Sequence, residues 1–188
     1  MASRDIMPFI SPTDGPRVIS YRIGASTTTA TGGTSWREGE VVVVDAAGDI
    51  DAKADGATAT TDAQLVSTAH TDGLIRNDGA TSGSATPTTM CPCWVVDERT
   101  EFITKNLFNN SDVLVTPLLA HIGDAAGWWR DNTAITTLPN SPADGANGKF
   151  GIDLNTTGLI ITRVLDSNFV DVGKSAGTGV YVCFRRAS

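Results

Sequence analysis

The three cysteines are the residues of this chain whose chemistry is most easily tested from spacing alone. Cys91 and Cys93 flank one proline, and Cys183 lies close to the end of the sequence. Thiolate zinc sites use four ligands, with about two to four residues between paired cysteines, and redox dithiols place about two residues between theirs. The single proline fits neither pattern, and His70 and His121 would have to complete a metal set. We expect buried or half-buried thiols with no disulfide framework, no metal and no cofactor.

Aspartates around residue 50 resemble a calcium-binding loop at first sight. Counted from Asp49, Asp51 holds the third position, but Lys53 stands at the fifth and Thr60 at the twelfth. An EF-hand loop requires an acidic side chain at the fifth position and a glutamate at the twelfth, so the pattern fails. We interpret these aspartates as turn formers beside a hairpin, because short acidic side chains hydrogen-bond to the backbone of their own turn.

Catalytic motifs are missing from the sequence. No Gly-x-Ser-x-Gly segment is present, and the glycine-containing stretch 24–33 lacks the Lys-Ser/Thr ending of a phosphate-binding loop. His70 and His121 are the only histidines that could serve as a base. His121 ends an apolar run and His70 lies beside a polar turn, so we interpret both as structural. The sequence therefore predicts a protein that is not an enzyme.

Trp128, Trp129 and Arg130 are consecutive and form the densest aromatic feature. Tryptophan and arginine are favoured at protein interfaces, so this segment is predicted to anchor a partner. Two alternatives are that the rings belong to the core, or that they form a platform on which a sugar stacks beside Asp124 and Asp131. Nearer the start of the chain, Trp36 leaves the same choice between interface and core, and we include it in the predicted interface.

Charge is unevenly distributed along the chain. The net charge is −7, yet residues 1–37 carry +2 and residues 38–188 carry −9. An acidic body repels phosphate backbones, so no nucleic-acid partner is expected. No segment reaches the roughly 18 apolar residues of a membrane span, so no membrane association is expected either. The basic start suits an acidic protein surface, and Arg4, Arg17 and Arg22 join the predicted interface, with a loose tail as the alternative.

Composition favours strands and turns over helices. Glu and Lys, common on helix surfaces, occur four times each, whereas Thr occurs 25 times and Gly 19 times. Short apolar runs recur about every 8 to 12 residues with turn residues between them, which is typical of an antiparallel β-barrel or sandwich. The predicted strands are 17–23, 40–45, 49–54, 64–69, 74–76, 93–96, 101–106, 113–116, 118–122, 150–154, 158–165, 169–172 and 180–184.

The predicted boundary between two parts of the chain lies near residue 36. Residues 1–35 contain three prolines and then a low-complexity stretch, and they are predicted to form an extended N-terminal arm and linker. Residues 36–188 are long enough to form one β-rich body domain with its own core. Within that body the valine run 41–44 shows no polar alternation, which predicts a strand buried on both faces.

Two stretches resemble proteins of tailed-bacteriophage particles. Residues 39–50 (GEVVVVDAAGDI) are similar to a hairpin of head decoration (cement) proteins, and residues 150–154, 160–167 and 181–185 resemble the closing strands of phage virion β-domains. The resemblance covers about half of the chain. It implies a structural protein on the outer surface of the capsid, often dimeric or trimeric, with an arm that crosses between subunits, and it brings no catalytic residues.

The sequence and the resemblance together predict a virion protein that clamps neighbouring major capsid protein subunits against the pressure of packaged DNA. Its expected partners are the major capsid protein and further copies of itself, as a dimer or trimer, and its expected place is the outer capsid surface after synthesis in the host cytoplasm. One alternative is a tail, collar or fibre-base β-domain. A second is a carbohydrate-binding or hydrolytic β-domain built around Trp128 and Trp129.

Overall fold

The computed structural model describes residues 6–10, 13–22, 39, 41–44, 48–52, 65–68, 90–109, 113–130, 150–173 and 177–188. Within them the chain is nearly all β, with a 3-10 helix at Leu119–His121 and no α-helix. In this part of the chain no helix is long and apolar enough to cross a membrane. The strands are β1 (Ile6–Ile10), β2 (Val18–Arg22), β3 (Val41–Val44), β4 (Ile50–Ala52), β5 (Leu65–Ser67), β6 (Met90–Val95), β7 (Glu101–Thr104), β8 (Leu107–Phe108), β9 (Ala125–Arg130), β10 (Phe150–Asp153), β11 (Leu159–Leu165) and β12 (Tyr181–Arg186).

The strands assemble into two sheets that pack as a sandwich. The first has seven strands in the order β1-β7-β12-β11-β9-β10-β8, and the second has five in the order β2-β6-β5-β3-β4. The pairings are antiparallel except that between β10 and β8, which is parallel. Within the described ranges, the outer strands β1 and β8 do not pair with each other. The all-β prediction is therefore confirmed, as a sandwich and not a closed barrel.

The main hydrophobic core lies between the two sheets. Val41 and Val66 enter it from the five-stranded sheet, and Phe102, Trp128 and Phe184 enter it from the seven-stranded sheet. The Phe184 ring stacks on Phe102 with centroids 6.2 Å apart and meets Trp128 edge-on at 5.4 Å. These rings bury large apolar areas in preferred geometries, and such burial is the main source of stability in a fold of this size.

The first half of the valine run contributes to two cores, as predicted, whereas Val44 at its end is 40% exposed. Val41 belongs to the main core and Val42 to a second cluster on the opposite side of the five-stranded sheet, and both are fully buried. Successive residues of a strand point to opposite faces, so a run without polar alternation is suited to a strand that is covered on both sides. The second cluster consists of Val42, Ile50, Leu65, Cys91, Cys93 and Val95, with Ile19 and Tyr21 packed against it.

An ion pair shows that the five-stranded sheet is strongly curled. Arg22, at the end of β2, donates from Nε and Nη2 to the two carboxylate oxygens of Asp49, at 2.7 and 2.8 Å, and Asp49 directly precedes β4. These are the two edge strands, which in a flat sheet would lie about 19 Å apart because neighbouring strands are spaced by about 4.8 Å. An arginine side chain cannot bridge that distance. The sheet therefore curls around the second cluster, which draws side chains from both edges.

Two described stretches of the predicted N-terminal arm are strands of the sheets. β2 matches the predicted strand 17–23 and pairs with β6. β1 lies in the proline-containing start, yet it pairs with β7. Pro8 is compatible with β1 because this is an edge strand, and the register shifts between Pro8 and Ile10. The extended arm is thus not confirmed, and residues 1–5, 11–12 and 23–35 lie outside the described residues.

Several other segments differ from the predicted strands because of how the strands pair in the sheet. β9 falls in a segment of small residues and two tryptophans where no strand was predicted, and it is held by β11 on one side and β10 on the other. The predicted strands 113–116 and 118–122 are instead isolated bridges and the 3-10 helix, and 169–172 supplies only a bridge at Asp171. Tertiary pairing overrides local propensity in each case. The predicted strand 74–76 lies outside the described residues.

Candidate functional site

The two adjacent tryptophans of the predicted interface lie in the interior. Trp128 is 2% exposed and belongs to the main core, and Trp129 is 8% exposed. β9 lies between β11 and β10 in the seven-stranded sheet, so both of its edges are paired. The interface prediction is corrected for these two positions, and the core alternative is the one that the structure supports. Buried rings also offer no platform for a sugar, although Asp124 is exposed.

The arginines of the predicted interface do not converge on one site. Arg17 is exposed and its carbonyl accepts a hydrogen bond from the Val95 amide, whereas Arg22 is held by Asp49 on the five-stranded sheet. Arg130 lies elsewhere, at the end of β9, where its backbone pairs with Phe150. The remaining predicted interface residues, Arg4 and Trp36, lie outside the described residues, as do Asp131 and His70.

All three cysteines are buried, in two clusters on different faces of the sandwich. Cys91 and Cys93 point into the second cluster, and Cys183 lies on the outer face of the seven-stranded sheet. A hydrogen bond with the Cys91 side chain, followed by burial, raises the pKa of Cys93 well above its ordinary value. Burial, followed by the charge of Glu101, raises the pKa of Cys183 to about 12. Protonated thiols are poor nucleophiles and poor metal ligands.

Two further kinds of site, a metal-binding cluster and a histidine base, were considered in the described part of the chain. No group of three or more His, Cys, Asp or Glu side chains that could hold a metal ion occurs there. The His121 Nδ1 accepts a hydrogen bond from the Leu118 amide at 3.1 Å, which fixes the ring across its own short helix. This is the structural role that the sequence predicted for His121.

A partly exposed group of aromatic rings lies on the outer face of the seven-stranded sheet, away from the main core. The Phe169 ring stacks on Tyr181 with centroids 4.8 Å apart and on Phe9 at 6.4 Å. Phe169 is 43% exposed and its neighbour Val170 is 59% exposed. We call Phe9, Phe169, Val170 and Tyr181 the aromatic patch. Exposed apolar side chains that group together mark interaction surfaces, whereas single ones do not.

A tight turn after β11 presents Phe169 at the surface. The Asp166 carboxylate accepts hydrogen bonds from the amides of Asn168 and Val170, at 2.8 and 3.0 Å, and its carbonyl accepts one from the Phe169 amide. Phe169 has a φ of 61°, and no other non-glycine residue in the described ranges has a positive φ. That conformation costs a residue with a Cβ about 1–2 kcal/mol. The turn therefore holds a large exposed ring at a position where glycine or asparagine is the ordinary choice.

An ion network borders the aromatic patch. Arg163 donates from Nε and Nη2 to the two carboxylate oxygens of Asp171, at 2.8 and 2.6 Å, and its Nη1 lies 3.9 Å from Glu101 Oε2. The same guanidinium lies over the Phe9 ring, 5.7 Å from its centroid, in a cation–π arrangement. The hydrogen bonds from Arg163 lower the pKa of Asp171. Beneath the patch lie the buried side chains of Ile103, Leu165 and Cys183.

This arrangement has the composition of a protein-binding surface. It combines a few exposed apolar and aromatic side chains with arginine and carboxylate groups at the border, as the centre and rim of an interface do. Sequence reasoning missed it because its members come from β1, the turn after β11 and β12, far apart in the chain. The one local signal was the turn-forming segment 166–168 directly before an exposed phenylalanine.

Comparisons with protein families, with curated proteins and with solved structures found no match to this chain.

Proposed function

We propose that the protein is a structural component of a virus particle, a decoration protein that binds the outer capsid surface. It clamps neighbouring major capsid protein subunits against the internal pressure of packaged DNA. The proposal joins two observations: residues 39–50 and the closing strands resemble phage virion β-domains, and the architecture is a β-sandwich. A clamp of this kind acts through contact area alone and needs no catalytic group.

The observation that carries the proposal is the aromatic patch. Phe169 is exposed and stays in a costly backbone conformation, and Val170 beside it is the most exposed large apolar side chain in the described ranges. Both features lower the stability or solubility of an isolated chain, so a contact made in an assembly is the natural reason for them. Many weak contacts repeated over a symmetric shell add up through multivalency.

The number of copies in each particle tests this function. Purified particles would be analysed by gel densitometry against the major capsid protein, with the full chain as the standard. A decoration protein is expected in hundreds of copies, in a fixed ratio to the shell protein, because shell symmetry multiplies every surface site. About 3 to 18 copies would contradict decoration and indicate a tail or collar ring with cyclic symmetry. Absence from particles would overturn the virion proposal altogether.

A second measurement tests the clamp itself. Shells stripped of this protein would be heated with and without the full chain added back at saturation, and release of DNA would be followed by dye fluorescence. The expected result is a higher release temperature when the protein is bound, because the free energy of binding is available only to the intact shell. An unchanged release temperature at full occupancy would contradict a clamping role.

A further inference from the structure

The edge strand β1 is attached unevenly along its length. Ile6, at its start, is fully buried in the main core, whereas Ile10, at its end, is 44% exposed. The register against β7 shifts between Pro8 and Ile10, and Pro8 has no amide hydrogen to donate. Within the described ranges β1 pairs with β7 and with no other strand. We call Pro8, Phe9 and Ile10 the strap, because this half of β1 relies more on side chains for its attachment.

The strap is attached through the ring of Phe9. That ring stacks on Phe169 with centroids 6.4 Å apart and an angle of 28° between the rings, and the Arg163 guanidinium lies 5.7 Å from its centroid. Phe9 is half-buried and packs against the cluster that contains Ile103 and Cys183. Arg163 belongs to β11 and Phe169 to the turn after it. The strap is therefore held by a part of the sheet with which β1 does not pair.

The ring of Phe169 reaches across the strand that separates β1 from β12. In the sheet order β7 lies between those two strands, so β1 and β12 are two strand spacings apart, about 10 Å. Phe169 nevertheless stacks on Phe9 of β1 and on Tyr181 of β12. The turn that fixes Phe169 at a φ of 61° holds its ring in this position. The strained residue thus joins the edge strand to the interior of the sheet.

We propose that the strap opens and closes while the rest of the sandwich stays folded, and that Phe169 is the clasp that holds it closed. Segments with few buried contacts open locally far more often than the whole chain unfolds. Ile6 stays in the main core and is the fixed end of the movement. Opening carries Phe9 away from Phe169 and Arg163, so the aromatic patch is complete in the closed form alone.

The strap is coupled to whatever binds the aromatic patch. This step rests on the proposed function, because it takes the capsid shell as the partner of the patch. A partner that contacts the complete patch binds the closed form more tightly, so its binding shifts the population towards the closed strap. Linkage is reciprocal, so a substitution that opens the strap more often must also weaken binding to the shell. The strap therefore closes when the shell is bound.

Hydrogen exchange of the full chain, read by peptide mass spectrometry, tests the clasp. The peptide that carries Ile6–Ile10 should exchange faster than the peptides of β7, β11 and β12. Phe169→Asn should speed exchange in that peptide alone by about three- to tenfold, because a ring stack is lost from the closed form. Relief of the positive φ does not offset this loss, since it acts on the open and closed forms alike. Phe9→Leu should have the same effect. The matched control is Val170→Asn, which alters a 59% exposed side chain on the same turn outside the ring stack and should change nothing.

Three results on the isolated chain would overturn the clasp: exchange in β1 as slow as in β12, exchange that neither Phe169→Asn nor Phe9→Leu changes, or faster exchange in every strand, which would mean that the whole sandwich is destabilised. The coupling is tested on stripped shells saturated with the chain, where exchange in the β1 peptide should slow at least tenfold. Shells that bind the chain and leave this exchange unchanged would overturn the coupling alone. A chain that does not bind shells would contradict the proposed function and the coupling with it, while the isolated chain would still decide the clasp.

Discussion

Two groups of aromatic side chains in this molecule differ in how their positions in the sequence relate to their positions in the structure. Trp128 and Trp129 are adjacent in the chain and both are buried. Phe9, Phe169 and Tyr181 are far apart in the chain and lie together on the outer face of the seven-stranded sheet. Adjacent strand residues point to opposite faces, so a dense aromatic run cannot form one surface. A surface patch instead depends on which strands the topology makes neighbours.

The two groups also differ in their roles, because the buried tryptophans serve stability and the aromatic patch is suited to binding. The buried tryptophans contribute through area removed from water, and Trp128 meets Phe184 edge-on in the main core. The exposed patch contributes less to folding, because Phe169 keeps almost half of its surface in water and occupies a costly backbone conformation. We therefore expect the two groups to respond differently to the same kind of substitution.

The largest effect tests this contrast directly. Trp128→Ala should lower the free energy of unfolding by about 3–5 kcal/mol, because it leaves a large cavity between the sheets. Phe169→Asn should change it by less than about 1 kcal/mol, because the ring stacking that is lost is offset by relief of the positive φ. Urea unfolding followed by tryptophan fluorescence and by far-UV circular dichroism measures both.

The opposite ranking of these two losses in unfolding free energy would contradict the comparison. If Phe169→Asn unfolded the chain as readily as Trp128→Ala, the aromatic patch would be a structural cover and its role as an interface would lose its main support. Val113→Asn serves as the control for removing an exposed apolar side chain, and it should have an effect of less than about 0.5 kcal/mol.

Local periodicity predicted many of the strands, but it could not predict the aromatic patch. The hairpin of β3 and β4, the doubly buried Val41 and Val42, and the strands around 158–165 and 180–184 follow from propensity and turn residues. β9 could not be predicted, because its small residues owe their strand conformation to pairing with β10 and β11. The position of Phe9 beside Phe169 depends on β1 pairing with β7, a strand far away in the sequence, and no local pattern encodes that pairing.

The second prediction uses the cysteines to probe what covers each face. Cys183 lies under the aromatic patch with its pKa raised to about 12. At pH 8 its alkylation by iodoacetamide should be roughly a thousandfold slower in the native chain than in urea, because so little thiolate is present. Tyr181→Ala should open Cys183 selectively and leave Cys91 and Cys93 protected. Tyr21→Ala, in the second cluster, is the matched control and should open those two instead.

Pulse labelling followed by peptide mass spectrometry reads out each cysteine separately. If Tyr181→Ala left Cys183 as slow as in the unaltered chain, the rings would not be its cover and the outer face would need a different account. If Tyr181→Ala exposed all three thiols together, it would have unfolded the chain, and circular dichroism would show this.

The smallest expected effect compares two arginine–aspartate pairs of similar geometry. Arg22→Gln removes both hydrogen bonds to Asp49, whose side chain is 12% exposed, and should cost about 1–2 kcal/mol because water cannot fully replace them. Arg163→Gln removes the bonds to Asp171, which is 60% exposed, and should cost less than about 1 kcal/mol. Urea unfolding at pH 7 compares the two variants with the unaltered chain. Equal losses would mean that the lower exposure of Asp49 does not strengthen its pair with Arg22.

Lowering the pH should remove the stabilisation from the Arg163–Asp171 pair, which is the smaller of these two contributions. Because the hydrogen bonds from Arg163 lower the pKa of Asp171, the stabilisation from this pair is complete at neutral pH. It is lost as the pH falls through that lowered pKa, where the carboxylate becomes protonated in the folded chain. The unfolding free energies of the unaltered chain and of Arg163→Gln should therefore converge in acid. A difference that persisted below that range would show that Arg163 stabilises the patch through Phe9 and not through Asp171, which would make the aromatic ring the more important partner of this guanidinium.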